Sequence, residues 1–286
     1  MKNSTRGNDM RMKNPRPIRL MIQKTAQSTT QNRWRKLWLG AGMLLATLQA
    51  QADVASVNAR LQDSPLKGIY SGSVVKDTVI KGIYSIGDER GKYASDYIND
   101  DFTLYRDARG WRKGIKPADA VLLPAEQAAL LKTLYQSIDL SQAIQYKYGK
   151  GERQLVLISA VDCGYCKALQ ANLKKAPAAL NAIIYIFPMA LHYDVASQAK
   201  LVKTVWCQPN AAQAFDETMT DPAARNKWLQ ASPPADCKNK SEADTRVLAE
   251  LFKLKGTPSI ILPNGELAVG AETAEEIMAL LDKQVK

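Results

Sequence analysis

Apolar positions keep two different rhythms along this chain. From residue 53 to about 120, Ile, Val and Tyr recur in short stretches punctuated by glycine: "KGIYSGSVV", "TVIKGIYSIG", "KYASDYI" and "FTLYRDARG". That texture predicts a β-rich region of short strands. Lys-Gly-Ile-Tyr-Ser occurs twice, at 67–71 and 81–85. Two copies are too few for a repeat architecture, so they read as neighbouring strands of similar composition. Pro124 then opens a helix whose Leu130, Leu131, Leu134, Tyr135 and Ile138 share one face. It reads as a linker between two regions, or else as the first core helix of the second. Beyond it, strands and helices alternate. "RQLVLIS" (153–159) is a buried-type strand, and a helix runs from about Gly164 until Pro177 stops it. "AIIYIF" (182–187) is a strand closed by Pro188. Helices are expected at 194–206, 211–219 and near 244–254, with an inserted segment near 208–243. "SIIL" and "ELAV" flank Pro263-Asn264-Gly265, a hairpin signal, and Thr273 with Glu276 forms a capping box for a terminal helix.

Charge changes the picture only at the N-terminus. The 286 residues carry a formal net charge of +11, but residues 1–52 alone hold ten Lys/Arg and one Asp. The rest is close to neutral, which sets nucleic-acid binding aside. The basic segment has the form of an export signal. Arg33, Arg35 and Lys36 precede the apolar run "LWLGAGMLLATL" (37–48), and Ala50-Gln51-Ala52 places cleavage after about Ala52. An uncleaved anchor is the competing reading, although the apolar run is short for a membrane span. Export delivers the chain to a compartment where disulfides persist.

Four cysteines carry the candidate chemistry. Cys163 and Cys166, in "VDCGYCKAL", sit where the 153–159 strand gives way to a helix. A helix N-terminus presents unpaired N–H groups and a partial positive charge, which favour a thiolate on Cys163. Cys166, one turn inside, is placed to resolve a mixed disulfide. Zinc is the competing reading. It needs four ligands, yet Cys207 and Cys237 stand 30 positions apart and the single histidine, His192, has no partner at ligand spacing. His192 reads as a loop or surface residue. Cys207 and Cys237 bracket a segment containing Pro209, Pro222, Pro233 and Pro234. They read as a structural disulfide, with a second redox pair as the alternative. Gly256-Thr257-Pro258 precedes the hairpin, at the position where a cis proline faces a cysteine pair in thioredoxin-like folds.

Taken together, "CGYC", "TVWCQPNAAQAFDETM", "PPADC" and "KGTPSIILPNGE" resemble the periplasmic disulfide isomerases of the DsbC/DsbG type; "SPLKGIYSG" (64–72) and "GKY" (91–93) resemble pieces of that family's N-terminal domain. The element order is likewise similar to a thioredoxin-like domain. The resemblance implies an α/β thioredoxin-like catalytic domain with a helical insertion at 141–286. A small β-rich (α+β) dimerisation domain at 53–122 and a linker helix at 123–140 precede it, after an N-terminal extension and signal peptide at 1–52. It also implies Cys163 as nucleophile and Cys166 as resolving thiol. Thr257, Pro258 and Tyr165 are implied as substrate contacts, and Cys207–Cys237 as a structural bridge, with no metal and no cofactor. The implied partners are misfolded exported proteins with wrong disulfides, a membrane thiol reductase of the DsbD type as electron donor, and a second copy of the chain in a V-shaped homodimer. Asp162 departs from the family, which usually has an uncharged Thr there. A carboxylate at that position is expected to oppose the thiolate, or to serve as the N-cap of the helix. Ser159-Ala160 stands where the family usually carries an acidic residue, and residues 72–90 appear in a rearranged order. Two rival functions remain, a pathway-specific reductase and a non-enzymatic chaperone.

Overall fold

The computed structural model describes residues 52–87, 96–116, 118–176, 178–237, 242–271 and 273–284. The expected export signal at 1–52, apart from Ala52, the "GKY" stretch and Pro177 lie outside the described residues.

The N-terminal region begins with a helix rather than a strand. α1 (Val54–Gln62) is capped by Asp53, whose carboxylate accepts the Ser56 N–H at 2.7 Å. It buries Val57 and Leu61. A five-stranded antiparallel meander follows, in the order β1 (Val74–Asp77), β2 (Ile83–Gly87), β3 (Asp96–Asn99), β4 (Leu104–Asp107) and β5 (Gly110–Lys113). Successive side chains point to opposite faces. One face (Val75, Tyr84, Ile86, Ile98 and Tyr105) packs with Val57 and Leu61 of α1. The other (Ile83, Tyr97 and Trp111) enters a second, larger core.

The first Lys-Gly-Ile-Tyr-Ser copy is not a strand. Residues 67–71 lie in consecutive turns closed by bonds such as Ile69 N–H to Leu66 O at 2.9 Å and Ser73 N–H to Tyr70 O at 3.0 Å. Tyr70 is held inward by hydrogen bonds to Asp96 and Tyr105, while Ile69 faces solvent. Only the second copy enters the ladder, in β2. Identical pentapeptides therefore take two conformations, set by what each tyrosine reaches.

α2 (Pro124–Ser137) has proline at its first position and Glu126 at its third, whose carboxylate accepts the Leu123 N–H at 3.0 Å. It connects the two regions along the chain and is itself packed. Leu134 and Tyr135 are buried in one continuous cluster with Val79, Ile80 and Trp111 on one side and Leu155 and Ile184 on the other. Backbone bonds at both ends of the joint, Lys81 N–H to Ser137 O and Asp139 N–H to Val79 O, tie the helix exit to the first sheet.

The second sheet has the order β10-β9-β7-β8-β6. Its strands are β6 (Ile144–Lys147), β7 (Arg153–Ala160), β8 (Ala182–Met189), β9 (Ser259–Ile261) and β10 (Leu267–Val269). β7 and β8 are parallel; the other pairs are antiparallel. The last six residues of β7 are all buried, as expected of a central strand. β6 has no counterpart in the sequence reading, because "IQYK" is short and half polar. Pro188 lies inside β8 instead of closing it. It pairs with Ser159 of β7 and lies two residues beyond Ile186, the last β8 residue paired with β6, so its missing N–H leaves no ladder bond unmade on that side.

Around this sheet lie α3 (Gly164–Leu173), α4 (Ala196–Trp206), α5 (Ala211–Thr220), α6 (Pro222–Gln230), α7 (Glu242–Leu251) and α8 (Ala274–Lys283). α3 ends at Leu173, short of the expected stop at Pro177. The inserted segment resolves into α5 and a separate α6, started by Pro222 and capped by Asp221. The capping box of Thr273 and Glu276 starts α8, with bonds of 3.1 and 3.2 Å.

Pro263-Asn264-Gly265 turns the chain between β9 and β10, closed by Gly265 N–H to Leu262 O at 2.8 Å. Gly265 has φ +84°, and a Cβ there would stand 2.6 Å from the α2 backbone at Leu131 and Lys132. Glycine is required twice, by conformation and by contact. Gly265→Ala is expected to destabilise the protein by about 2 kcal/mol, seen as a lower denaturation midpoint at unchanged slope.

Candidate functional site

β7 delivers the chain into a tight turn, closed by Cys163 N–H to Ala160 O at 3.2 Å, from which α3 starts. Cys163 is the N-cap, with extended backbone (φ −98°, ψ 125°). Its sulfur accepts the Cys166 N–H at 3.4 Å and donates to the Thr257 carbonyl at the same distance. The Thr257–Pro258 peptide is cis, and this turn comes against the cysteines from 94 positions downstream. The Thr257 hydroxyl is buried and acts on both sulfurs, favouring the thiolate form of each.

The two thiols are electrostatically unlike. Burial opposes ionisation of Cys163, which is 5 % exposed, but Thr257, the Cys166 thiol and the N–H groups of Cys166 and Tyr165 outweigh it. Cys163 is held below the usual thiol range. Burial instead pushes Cys166 up to about 12, against the pull of Thr257 and of the Ala160 N–H, which donates to its sulfur at 3.4 Å. One sulfur thus favours the thiolate, and the other stays protonated one helical turn behind it.

Asp162 is not the N-cap. Its carboxylate turns away from α3 and accepts the Leu191 N–H at 2.8 Å and the His192 N–H at 2.9 Å, with the His192 ring Nδ1 at 2.9 Å. Burial would raise its pKa, but these bonds hold it below the ordinary carboxylate range. Cys163 caps the helix because Asp162 is occupied by the loop after β8. His192 is a loop residue with its ring 70 % exposed, and it touches the residue beside Cys163. That loop is held on its far side too. Glu242 accepts the Ala190 N–H at 3.3 Å, Arg246 pairs with Glu242 at 2.6 Å, and the Arg246 guanidinium lies 3.7 Å from the Tyr193 ring centroid.

Arg225, on α6, reaches the same turn. It donates to the Val161 carbonyl at 2.7 Å across 64 positions, and to the Gln198 side chain at 2.9 Å. Nothing in the sequence near Arg225 marks it. Tyr165, on the first turn of α3, is 67 % exposed, and Leu191, Tyr193 and Val195 are exposed along the loop that Asp162 holds. Cys207 and Cys237 are bonded to each other, with Cα atoms 5.6 Å apart, away from the Cys163–Cys166 pair. Among the described residues no group of three or more His, Cys, Asp or Glu side chains is placed to hold a metal ion. No described helix is long and apolar enough to cross a membrane.

Residues 140–284 match the family profile described as a thioredoxin-like domain. The chain is 29 % identical over 147 residues to the thiol:disulfide interchange protein DsbC of Salmonella typhimurium, spanning 51 % of this chain and 57 % of that protein. It is 32 % identical over 143 residues to DsbC of Dickeya dadantii, covering 49 % and 55 % respectively. The chain thus spans little more than half the length of these curated relatives. A solved disulfide interchange protein from Neisseria gonorrhoeae is 26 % identical, with a TM-score of 0.41 over 50 % of this chain and 96 % of that one. With half of its length matched by the profile, the chain belongs to the thioredoxin-like domain family.

Proposed function

We propose that the protein is a thiol–disulfide interchange enzyme acting on exported proteins, with isomerisation of wrong disulfides as its main reaction. The observation that carries this reading is the asymmetric pair: Cys163 at the start of α3, stabilised as thiolate, and Cys166 buried and protonated behind it. The Cys163 thiolate attacks one sulfur of a substrate disulfide, forming a mixed disulfide and expelling the other sulfur as thiolate. In isomerisation a different substrate thiolate then attacks the substrate sulfur of the mixed disulfide, forming a new substrate disulfide and expelling the Cys163 thiolate, with no net electron transfer. Otherwise Cys166 loses its proton and attacks Cys163, giving a Cys163–Cys166 disulfide and a substrate reduced by two electrons. An external dithiol then regenerates the enzyme; a membrane thiol reductase of the DsbD type fits that role.

Thr257, Pro258 and Tyr165 are the substrate contacts in this reading. The cis turn places backbone against Cys163, where an extended substrate segment pairs by strand addition. The Tyr165 ring and the exposed Leu191, Tyr193 and Val195 offer apolar surface beside it. Cys207–Cys237 is the structural bridge. The basic, then apolar N-terminus supports export to the periplasm, with cleavage after about Ala52. The resemblance of the 64–72 segment supports a homodimer built through the N-terminal sheet, and sedimentation giving a monomer counts against it.

Isomerase and reductase part at Cys166. In Cys166→Ser, isomerisation of a scrambled multi-disulfide substrate is expected to stay within about tenfold of wild type, with mixed disulfides accumulating as a substrate-mass adduct. Loss of isomerisation as complete as the loss of reduction favours the reductase reading.

A further inference from the structure

A carboxylate next to a thiolate nucleophile is an electrostatic fault that the fold has to manage. Asp162 is one residue from Cys163, and its side chain is only 10 % exposed, so water screens it poorly. Its oxygens are satisfied by two N–H groups and the His192 ring, which fix their position without supplying a permanent positive charge.

Arg225 brings a guanidinium to the same turn. It is half-buried and bonded to the carbonyl of Val161; burial lowers its pKa, and the Asp162 carboxylate favours its charged form. The other charged groups around this corner are engaged elsewhere. Glu242 and Arg246 pair with each other and clamp the backbone of Ala190. Lys167 lies on α3 beyond the cysteines.

We propose that Arg225 is a positioning residue for the nucleophile: it pins the turn through the Val161 carbonyl and neutralises the Asp162 carboxylate beside Cys163. The inserted helix α6 thereby becomes part of the active-site electrostatics. α6 lies within the segment that the Cys207–Cys237 bond closes. The inference rests on Cys163 being the nucleophile of the proposed interchange reaction.

The test is the pH profile of Cys163 alkylation by iodoacetamide in the reduced protein, followed by mass spectrometry. Arg225→Met is expected to move the midpoint up by about one pH unit, with Arg225→Lys restoring most of it. Asp162→Asn alone is expected to move it down. In the Asp162→Asn background Arg225→Met is expected to have little effect, because the charge to be neutralised is gone. Arg225→Gln keeps a donor toward Val161 and carries the same comparison if the Met variant does not fold. An unmoved midpoint in the arginine variants overturns the proposal. So does an equal rise in both backgrounds, which assigns Arg225 to general packing or to a direct effect on Cys163. The proposed function fails separately: there the wild-type Cys163 itself titrates like an ordinary thiol.

Discussion

Cys163→Ser should abolish refolding of a scrambled multi-disulfide substrate, leaving a rate at least about 100-fold below wild type. The size of the loss follows from the lack of a substitute. Cys166 is 1 % exposed and pushed up to about 12, so near neutrality it holds almost no thiolate and cannot meet a substrate. Cys207 and Cys237 are consumed in their own bond. Serine is the right probe because its hydroxyl can still accept the Cys166 N–H at the N-cap of α3. Stability is then expected to stay near wild type while activity disappears. Cys163→Ala, which removes the cap as well, is expected to cost a further 1 kcal/mol or so of stability. Full activity in the serine variant would overturn the enzymatic reading and favour a chaperone that holds unfolded chains without thiol chemistry.

The second large effect is structural. Replacing Cys207 and Cys237 with alanine should destabilise the protein by about 3–4 kcal/mol and lower its Tm by roughly 10 °C. The bond closes a segment of 30 positions that contains both α5 and α6. Its first anchor is firm: Cys207 caps α4 directly after Trp206, which is fully buried edge-on against Phe187 and donates to the Gln142 carbonyl at 2.7 Å. Its second anchor follows α6, whose own residues include none that is fully buried. Without the cross-link the α6 end of that segment has little apolar burial to hold it, and the unfolded chain regains the entropy of an open loop. Calorimetry with and without reductant checks this, and a change below 1 kcal/mol would show that α5 holds the segment alone.

Much of the fold was readable because it depends on local pattern. The unbroken apolar run of β7, the helical face of α2, the Asn-Gly turn and the Thr273–Glu276 box each declare themselves within a few residues. The thioredoxin-like order of the second half follows from reading them in sequence. The misses have a common cause. α1 presents only Val57 and Leu61 to the core, too short a stripe to stand out from its polar neighbours. Pro188 reads as a strand end until its position past the last β6 pairing, Ile144 with Ile186, is known. The two Lys-Gly-Ile-Tyr-Ser copies cannot be told apart locally; the hydrogen bonds of Tyr70 to Asp96 and Tyr105 decide between them.

At the site, the sequence determined the parts whose physics acts over one helical turn: two cysteines at the mouth of a helix, the first within reach of its free N–H groups. Only the tertiary structure decided what Asp162 does, because a carboxylate between two candidate roles goes to whichever donors arrive, and these come from Leu191 and His192 on the loop after β8. Hydrogen-bond spacing along a helix is written in neighbouring residues. The field at a sulfur sums charges from every element that packs near it, and that sum exists only once the chain is folded.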